Sequence, residues 1–137
     1  MKVLLSIKPE FAEKILDGEK RFEFRKVLFK NPDVKTVVIY ATLPVGKVLG
    51  EFDIDAIISA KPKRLWSLTS QFAGIPYRYF NEYFAGRDIG HAIKVQRVRR
   101  YKKPLNLNQV LISGIAPQSF CYLDRVSVPV KPLKQTK

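Results

Sequence analysis

The chain has 137 residues and a formal net charge of +13, and apolar residues make up 46% of it. This length suits one domain with a sizeable core, and the apolar content excludes a disordered chain. The charge exceeds what the solubility of a small domain requires and attracts polyanions, so nucleic acid is the first partner to expect. A single cysteine, Cys121, excludes an internal disulfide and a multi-cysteine zinc site. With no signal-peptide pattern and no apolar run of bilayer length, we expect a cytoplasmic protein without a membrane partner.

The N-terminal part of the chain predicts a strand followed by a helix. The run VLLSI (3–7) is short and apolar, as is typical of a buried strand. Pro9 suits the first turn of a helix, and apolar residues recur at helical spacing over 9–17. Gly18 can cap the end of this helix, which therefore leads directly into the next segment.

The segment GEKRFEFRK (18–26) mixes charged and aromatic residues with a period of two. This period is that of a β-strand, whose side chains alternate between two faces. Phe22 and Phe24 are predicted to face the core, and Glu23 and Arg25 to share the opposite face.

Two further strands are predicted at 36–42, which is β-branched, and at 48–58, which alternates. The residues of the longer strand that are predicted to face inward are Val48, Phe52, Ile54, Ala56 and Ile58. The carboxylates predicted to face outward are Glu51, Asp53 and Asp55. Three carboxylates suit a hard cation, but their Cα atoms span about 13 Å at the rise of a strand, so one ion cannot bridge them. We therefore expect them to pair with arginines on a neighbouring strand.

A pair of helices is predicted between the long strand and the next one. Pro62 and Pro76 mark the helix starts, and Gly74 and Gly86 mark the ends. The aromatic residues of the pair recur at helical spacing and are predicted to lie in the core: Trp66, Tyr79 and Tyr83.

The last part of the chain predicts two strands and a basic tail over 124–137. Residues 89–103 alternate with one break of phase, which a bulge near Gln96–Arg97 would explain. A short strand follows at 119–123. Together the elements predict a single α+β domain over 1–123, a small β-barrel with one N-terminal helix and an inserted helical pair.

Gly18, Lys20, Glu23 and Arg25 carry the pattern G-x-K-x-x-E-x-R, preceded by a strand and a short helix. With the LGEFDI strand, the RRYKKP segment and the closing APQSFCYL, the chain resembles the ASCH domain over about residues 2–123. The resemblance implies a PUA-like β-barrel and binding of RNA.

Some members of that family are amidohydrolases of acetylated cytidine, which use a lysine, a threonine and a glutamate. By position, Lys20 corresponds to the lysine, and Glu82 is the nearest candidate for the glutamate. The position of the threonine holds Glu23. Because that nucleophile is absent, the resemblance favours binding over this deacylation. The alternative is a hydrolase acting on RNA or a modified nucleoside, with Lys20 and either Glu23 or Glu82 as acid/base groups.

The residue types of the motif allow either recognition or plain surface charge. Lys20 could hold a phosphate, or act as a base if burial lowered its pKa; otherwise it is a solvated lysine favoured by a helix C-terminus. Arg25 could bind a phosphate or hold Glu23 in place. Glu23 could accept a hydrogen bond from the amine of a base or serve as a general base. The alternative for Glu23 and Arg25 is an exposed ion-pair network of little energetic value.

A second candidate surface is the basic strand, which suits contact with a nucleic-acid backbone and stacking on its one aromatic ring. Its candidate residues are Lys94, Arg97, Arg99, Arg100, Tyr101, Lys102 and Lys103. The alternative is a solvated strand that pairs with the acidic one.

His91 is the only histidine, so a His/Cys metal site is excluded, and a Cys121–His91 dyad is a formal option. We expect a monomer without metal or cofactor that binds RNA or a modified nucleotide; a basic face for an acidic protein partner is a third reading.

Overall fold

A computed structural model describes residues 1–123, and the predicted tail at 124–137 lies outside the described residues. Six strands and three α-helices follow one another in the order β1, α1, β2, β3, β4, α2, α3, β5 and β6. Their bounds are β1 Lys2–Ile7, α1 Pro9–Leu16, β2 Phe22–Arg25, β3 Thr36–Ala41, β4 Lys47–Ala60, α2 Pro62–Thr69, α3 Tyr77–Tyr83, β5 Gly90–Leu105 and β6 Phe120–Leu123. Each predicted strand and helix is present, with ends that differ by a few residues. Among the residues described, no helix has the length and apolar character needed to cross a bilayer.

The strands form one mixed sheet in the order β2-β5-β4-β3-β1-β6. The β1–β3 pair is parallel, and the other pairs are antiparallel. The sheet curves into a half-barrel, with β2 and β6 as its edges in the described part of the chain. Because β2 and β6 do not pair with each other through backbone hydrogen bonds, the described strands do not close the predicted barrel. The side chain of Arg25 on β2 instead reaches the carbonyl of Ser6 on β1 and that of Ser119 just before β6.

Three apolar clusters hold the elements together. One lies between the sheet and α1, which inserts Ala12, Ile15 and Leu16. A second includes residues of β1, β3, β4 and β5 together with the loop after β5. The third joins Phe22 and Phe24 of β2 to the helical insertion. The two phenylalanines are thus buried as predicted, and they attach α2 and α3 to the edge of the sheet.

The register of β4 differs from the simple alternation that its sequence predicts. Val48 packs in the second cluster, whereas Leu49 and Phe52 pack in the first, so Val48 and Phe52 do not share a face. The cause is an irregularity between Val48 and Gly50 in the pairing with β5, which shifts the phase of the strand. A Cβ at Gly50 would lie 2.4 Å from the Arg99 carbonyl oxygen, so the close approach of the two strands requires glycine there.

The bulge predicted near Gln96–Arg97 is confirmed. Asp53 pairs with Gln96 and Glu51 pairs with Arg99, so one intervening residue of β4 faces two of β5. Arg97 has a φ of 47°, in the left-handed region that a bulge often requires.

Candidate functional site

The turn after α1 carries Lys20 into the interior of the domain. Gly18 has a φ of 88°, which glycine adopts without a Cβ clash, and the Lys20 amide donates to the Lys14 carbonyl at 2.9 Å. The Lys20 residue is only 2% exposed, and its Nζ donates to the Ala73 carbonyl at 2.8 Å. Gly74 packs against it, since a Cβ there would stand 2.5 Å from the Lys20 Cβ. The alternative of a solvated lysine is therefore wrong.

The Lys20 ammonium lies among aromatic rings, and its burial disfavours the charged form. Its Nζ lies 4.7 Å from the centroid of the Phe24 ring and 5.6 Å from that of Phe11. Burial lowers the pKa of Lys20 from its usual 10.5 to about 8; the negative charge of Glu23 opposes this shift, and the positive charge of Lys14 adds to it. An amine with this pKa is a donor when protonated and an available base slightly above neutral pH.

Glu23 and Arg25 share one face of β2, as the period of the strand predicts, but this face is buried. Glu23 is 5% exposed and Arg25 is 8% exposed, and Arg25 Nη1 lies 3.2 Å from Glu23 Oε2. The same guanidinium donates to the carbonyls of Ser6 at 3.3 Å and Ser119 at 3.0 Å, and to Ser119 Oγ at 2.8 Å. The pair is thus a fixed, desolvated unit rather than the exposed network of the alternative interpretation.

A cleft of about 220 Å³ opens beside these three charged residues. Lys20, Glu23 and Arg25 all line it, so the structure brings the predicted trio together. Its other walls come from the end of β1, from α1, from the segment before α3 and from α3 itself. Gln118, close to β6, also lines it. The cleft therefore lies where the edge of the half-barrel meets the helices.

Two tyrosines predicted to be core residues line the cleft. Tyr79 and Tyr83 are half-buried, and their rings are nearly parallel, with an interplanar angle of 12° and centroids 6.4 Å apart. Tyr83 and Trp66 also pack against the third apolar cluster, as predicted, whereas Tyr79 packs edge-to-face on Phe11 of α1. The signal that could have distinguished them was the neighbouring pair Phe80 and Phe84, which occupies the core side of the helix with larger apolar surface.

Glu82 is not part of the candidate site. It is exposed on α3 and forms an i,i+4 ion pair with Arg78, 3.4 Å between Arg78 Nε and Glu82 Oε1. Its side chain is 69% exposed, and it does not line the cleft. The structure therefore does not bring Glu82 to the cleft beside Lys20, because the helix presents positions 79 and 83 to the cleft and position 82 to solvent.

Most arginines of the basic strand pair with the acidic strand, as one of the two interpretations expects. Arg97 Nε lies 2.8 Å from Asp53 Oδ2, and Arg99 Nη2 lies 2.7 Å from Asp53 Oδ1 and 2.5 Å from Glu51 Oε2. Lys94 pairs with Asp55 at 3.4 Å, while Arg100 reaches Glu13 of α1 at 2.9 Å. The hydrogen bond from Arg99 holds the pKa of Asp53 far below its usual range. Lys102 and Lys103 are exposed.

Tyr101 does not present its ring to solvent. It is 6% exposed, and its hydroxyl donates to Glu51 Oε1 at 2.8 Å. Burial and the neighbouring Glu51 charge raise the pKa of Tyr101. Burial would also raise the pKa of Glu51, but the hydrogen bonds from Arg99 and Tyr101 and the charge of Lys2 outweigh it and lower that pKa. Tyr101 therefore belongs to a structural network, and its predicted role in stacking on bases is corrected.

The remaining candidates lie away from the cleft. His91 Nδ1 lies 2.7 Å from Ser59 Oγ, and burial, with the Arg87 charge, lowers the pKa of His91. Cys121 packs beside the second apolar cluster on β6, and three strands separate β6 from β5, which carries His91, so the two do not form a dyad. Across residues 1–123, no three His, Cys, Asp or Glu side chains are placed to hold a metal ion.

Comparison with known proteins identifies the family of this chain. The family model described as ASCH domain matches residues 5–104. The chain is 31% identical over 123 residues to the ASCH domain-containing ribonuclease of Zymomonas mobilis subsp. mobilis, a match that covers 88% of this chain and 82% of that protein. It is also 29% identical to the large ribosomal subunit protein uL22 of Ureaplasma parvum and 34% identical to the ATP synthase subunit alpha of that species. The chain spans only 39% and 15% of the length of these two relatives.

Solved structures show the same fold. The crystal structure of ASCH from Zymomonas mobilis matches with a TM-score of 0.86 at 28% identity, covering 98% of this chain and 94% of that one. The N-terminal domain of Staphylothermus marinus McrB matches with a TM-score of 0.58 at 12% identity, a likeness of fold alone. The chain belongs to the ASCH domain family.

Proposed function

We propose that this ASCH domain binds RNA and holds one nucleotide in the cleft beside Lys20. The observation that carries the proposal is the burial of Lys20, Glu23 and Arg25 side by side along an open cleft. Three buried charges stabilise a fold less than apolar residues of similar size would. Their cost is explained if they contact a ligand, and perturbed charged groups in clefts are typical of binding and catalytic sites.

The cleft has the chemistry and the size for a small, polar, anionic fragment. Lys20 offers a donor to a phosphate or a base carbonyl, and Glu23 offers an acceptor to an amino group of a base. The volume of about 220 Å³ is below the range of roughly 300–1,000 Å³ typical of sites for drug-sized ligands. A single base or phosphate of a longer chain suits it better. The net charge of +13 and the name of the ribonuclease relative support RNA as that chain.

The proposed path of the RNA backbone differs from the one that the basic strand suggests. Lys94 pairs with Phe22 of β2, but Lys102 lies eight residues further along β5, about 26 Å at the rise of a strand. The exposed lysines close to the cleft are Lys8, at the start of α1, and Lys26, at the end of β2. We therefore assign the phosphates next to the bound nucleotide to these two lysines.

Fluorescence anisotropy with a labelled single-stranded RNA of about 12 nucleotides tests the proposal at several salt concentrations. We expect the logarithm of the binding constant to fall linearly with the logarithm of the salt concentration. The Lys20→Met and Glu23→Gln variants should bind at least tenfold more weakly, while Glu82→Gln, outside the cleft, should bind like the wild type. Absence of salt-sensitive binding, or equal affinity of all four proteins, would show that the cleft does not bind RNA.

Cleavage of RNA at the same site is a second candidate function. It is favoured by the lowered pKa of Lys20, about 8, together with the 31% identity to the ribonuclease. The neutral Lys20 amine would take the proton of a ribose 2′-hydroxyl, and the 2′ oxygen would attack the adjacent phosphorus. The bond from phosphorus to the 5′ oxygen would break, and the Lys20 ammonium would return a proton to that oxygen. The products would be a 2′,3′-cyclic phosphate and a 5′-hydroxyl.

A pH–rate profile on a fluorogenic RNA tests this role of Lys20. The rate should rise as pH increases through about 8 and should fall at least a thousandfold in Lys20→Met. Cleavage that persists in purified Lys20→Met, with the same products, would exclude Lys20 as the base.

A further inference from the structure

Two tyrosines of α3, Tyr79 and Tyr83, form an ordered aromatic surface beside the charged trio of Lys20, Glu23 and Arg25. Tyr79 and Tyr83 are one helical turn apart, which places them on the same face of α3, and both line the cleft. Their rings are 6.4 Å apart between centroids and within 12° of parallel. We infer that this pair is a stacking platform for unpaired bases of RNA, with Lys8 and Lys26 as the phosphate-binding groups at its two ends. This inference rests on the proposed function.

The rings are held in place before any ligand arrives. Phe11 of α1 contacts Tyr79 edge-to-face, with centroids 5.2 Å apart and planes at 81°. The hydroxyl of Tyr83 donates to the Phe24 carbonyl at 3.4 Å, and Phe84 packs edge-on to the Tyr83 ring at 4.8 Å. Burial raises the pKa of Tyr83, so its phenol keeps the proton that this hydrogen bond needs. Rings fixed in this way lose little conformational freedom when a base stacks on them.

Each tyrosine also carries a lysine ammonium over its ring. Lys8 Nζ lies 5.2 Å from the centroid of Tyr79, and Lys26 Nζ lies 4.7 Å from that of Tyr83. Both lysines are exposed. An exposed cation–π contact is worth about 2- to 5-fold in an equilibrium, whereas stacking of a base on an aromatic side chain is worth about 5- to 150-fold. A base can therefore displace each ammonium from its ring, and the released ammonium is then beside the phosphates of the nucleotide that replaced it.

This geometry selects RNA whose bases are unpaired. The stacking surface consists of side chains on one helix at the wall of a small cleft, so the base must leave its own stack to contact them. Bases inside a duplex keep both of their faces covered. The platform contacts the faces of bases rather than their edges, so it tolerates different bases. Any preference for one base comes from Lys20 and Glu23, which are more deeply buried than the tyrosines.

Two readouts test the platform independently of the overall charge. The probe is a pentanucleotide of RNA with 2-aminopurine at its centre, whose fluorescence is quenched when the base stacks. We expect quenching on binding to the wild type, and loss of quenching with at least fivefold weaker binding in Tyr79→Ala and Tyr83→Ala. Tyr79→Phe, which keeps the ring, should stay within twofold of the wild type. The control is Tyr77→Ala, which removes an aromatic residue of α3 that lies outside the cleft, against Trp66.

Further variants and competitors separate the outcomes. Tyr79→Leu keeps the bulk without the ring, so it should lose the quenching even if the alanine variant folds poorly. Lys8→Gln and Lys26→Gln should each reduce the salt slope by about 0.7, the value for one phosphate contact on a single strand. A duplex of the same sequence should compete at least tenfold less well.

If the wild type binds RNA with steep salt dependence and the tyrosine variants match it in affinity and quenching, the platform is wrong and the proposed function stands. Equal competition by duplex RNA would also overturn the platform. If the wild type binds no RNA, both the platform and the proposed function fail.

Discussion

Replacing Lys20 by methionine should change how the stability of the domain depends on pH. Burial lowers the pKa of Lys20 to about 8 in the folded state, whereas an unfolded chain restores it to about 10.5. Below pH 8 both states carry the proton, and the folded state bears the full cost of a buried charge. Between pH 8 and 10.5 the unfolded state binds more protons than the folded one, so the free energy of unfolding rises with pH. Integration of this difference from pH 7 to pH 9 gives about 1.4 kcal/mol.

Urea unfolding followed by the fluorescence of Trp66, the only tryptophan, measures this gain at pH 7, 8 and 9. Trp66 is a suitable reporter because its ring packs against Phe80 in the third cluster, 5.0 Å between centroids. The wild type should gain the 1.4 kcal/mol relative to Lys20→Met, in which no amine titrates at that position. Above pH 10 the raised pKa of Tyr83 and of Tyr101 acts in the opposite direction, because the unfolded tyrosines ionise first, so the measurement stays below that range.

The control for this measurement is Lys63→Met, which removes an exposed lysine of α2. Its stability should follow the wild type at each pH, since this side chain is exposed to solvent and removing it leaves the buried Lys20 in place. Parallel curves for the wild type and Lys20→Met would show that Lys20 keeps an ordinary pKa in the fold. That result would refute its role as a base and would weaken the argument from burial.

Two further predictions concern the packing around the trio. Gly74→Ala, at a φ of 69°, puts a Cβ 2.5 Å from the Lys20 Cβ and should weaken RNA binding at least tenfold in the anisotropy assay. The control is Gly86→Ala, at a φ of 79° with nothing within 4 Å of the added Cβ, which should lower the free energy of unfolding by about 1–2 kcal/mol and leave RNA binding unchanged. Equal RNA affinities of the Gly74→Ala and Gly86→Ala variants would contradict the prediction. Arg25→Met should lower the free energy of unfolding by about 3–5 kcal/mol in urea melts, since Glu23 stays buried without its partner. Adding Glu23→Gln should recover at least half of that loss, and no recovery would mean that Arg25 acts mainly through its backbone contacts.

The elements near the motif were predictable because their signals are local. Pro9 at the start of α1 and Gly18 after its end fix that helix within the sequence itself. The period of two in β2 correctly separates Phe22 and Phe24 from Glu23 and Arg25. The sequence alone cannot show that both faces of β2 are buried. That depends on α2 and α3, which begin roughly forty and fifty residues later and cover the phenylalanines.

The errors came from contacts that link distant segments. Val48 is buried as predicted but does not share a face with Phe52, because the irregularity beside it is a property of the pairing with β5, some fifty residues away. Tyr101 looked like a stacking residue because its neighbours are basic, but its hydroxyl reaches Glu51 across the sheet. Tyr79 looked like a core residue because a helical period marks a buried face without showing whether the partner surface is packed or open.

The charge of the chain and the location of the site are separate properties. The strand richest in basic residues lies beside the strand with three carboxylates, and the arginines Arg97 and Arg99 are bound to Asp53. Guanidinium groups held in this way are less available to phosphates, because a phosphate must first displace a carboxylate of the same charge. Among residues 1–123, the side chains of the lysines over Tyr79 and Tyr83 are held by weak contacts with ring faces. The cations best suited to RNA are therefore those with the weakest partners in the fold, and these lie beside the cleft rather than where basic residues are most dense.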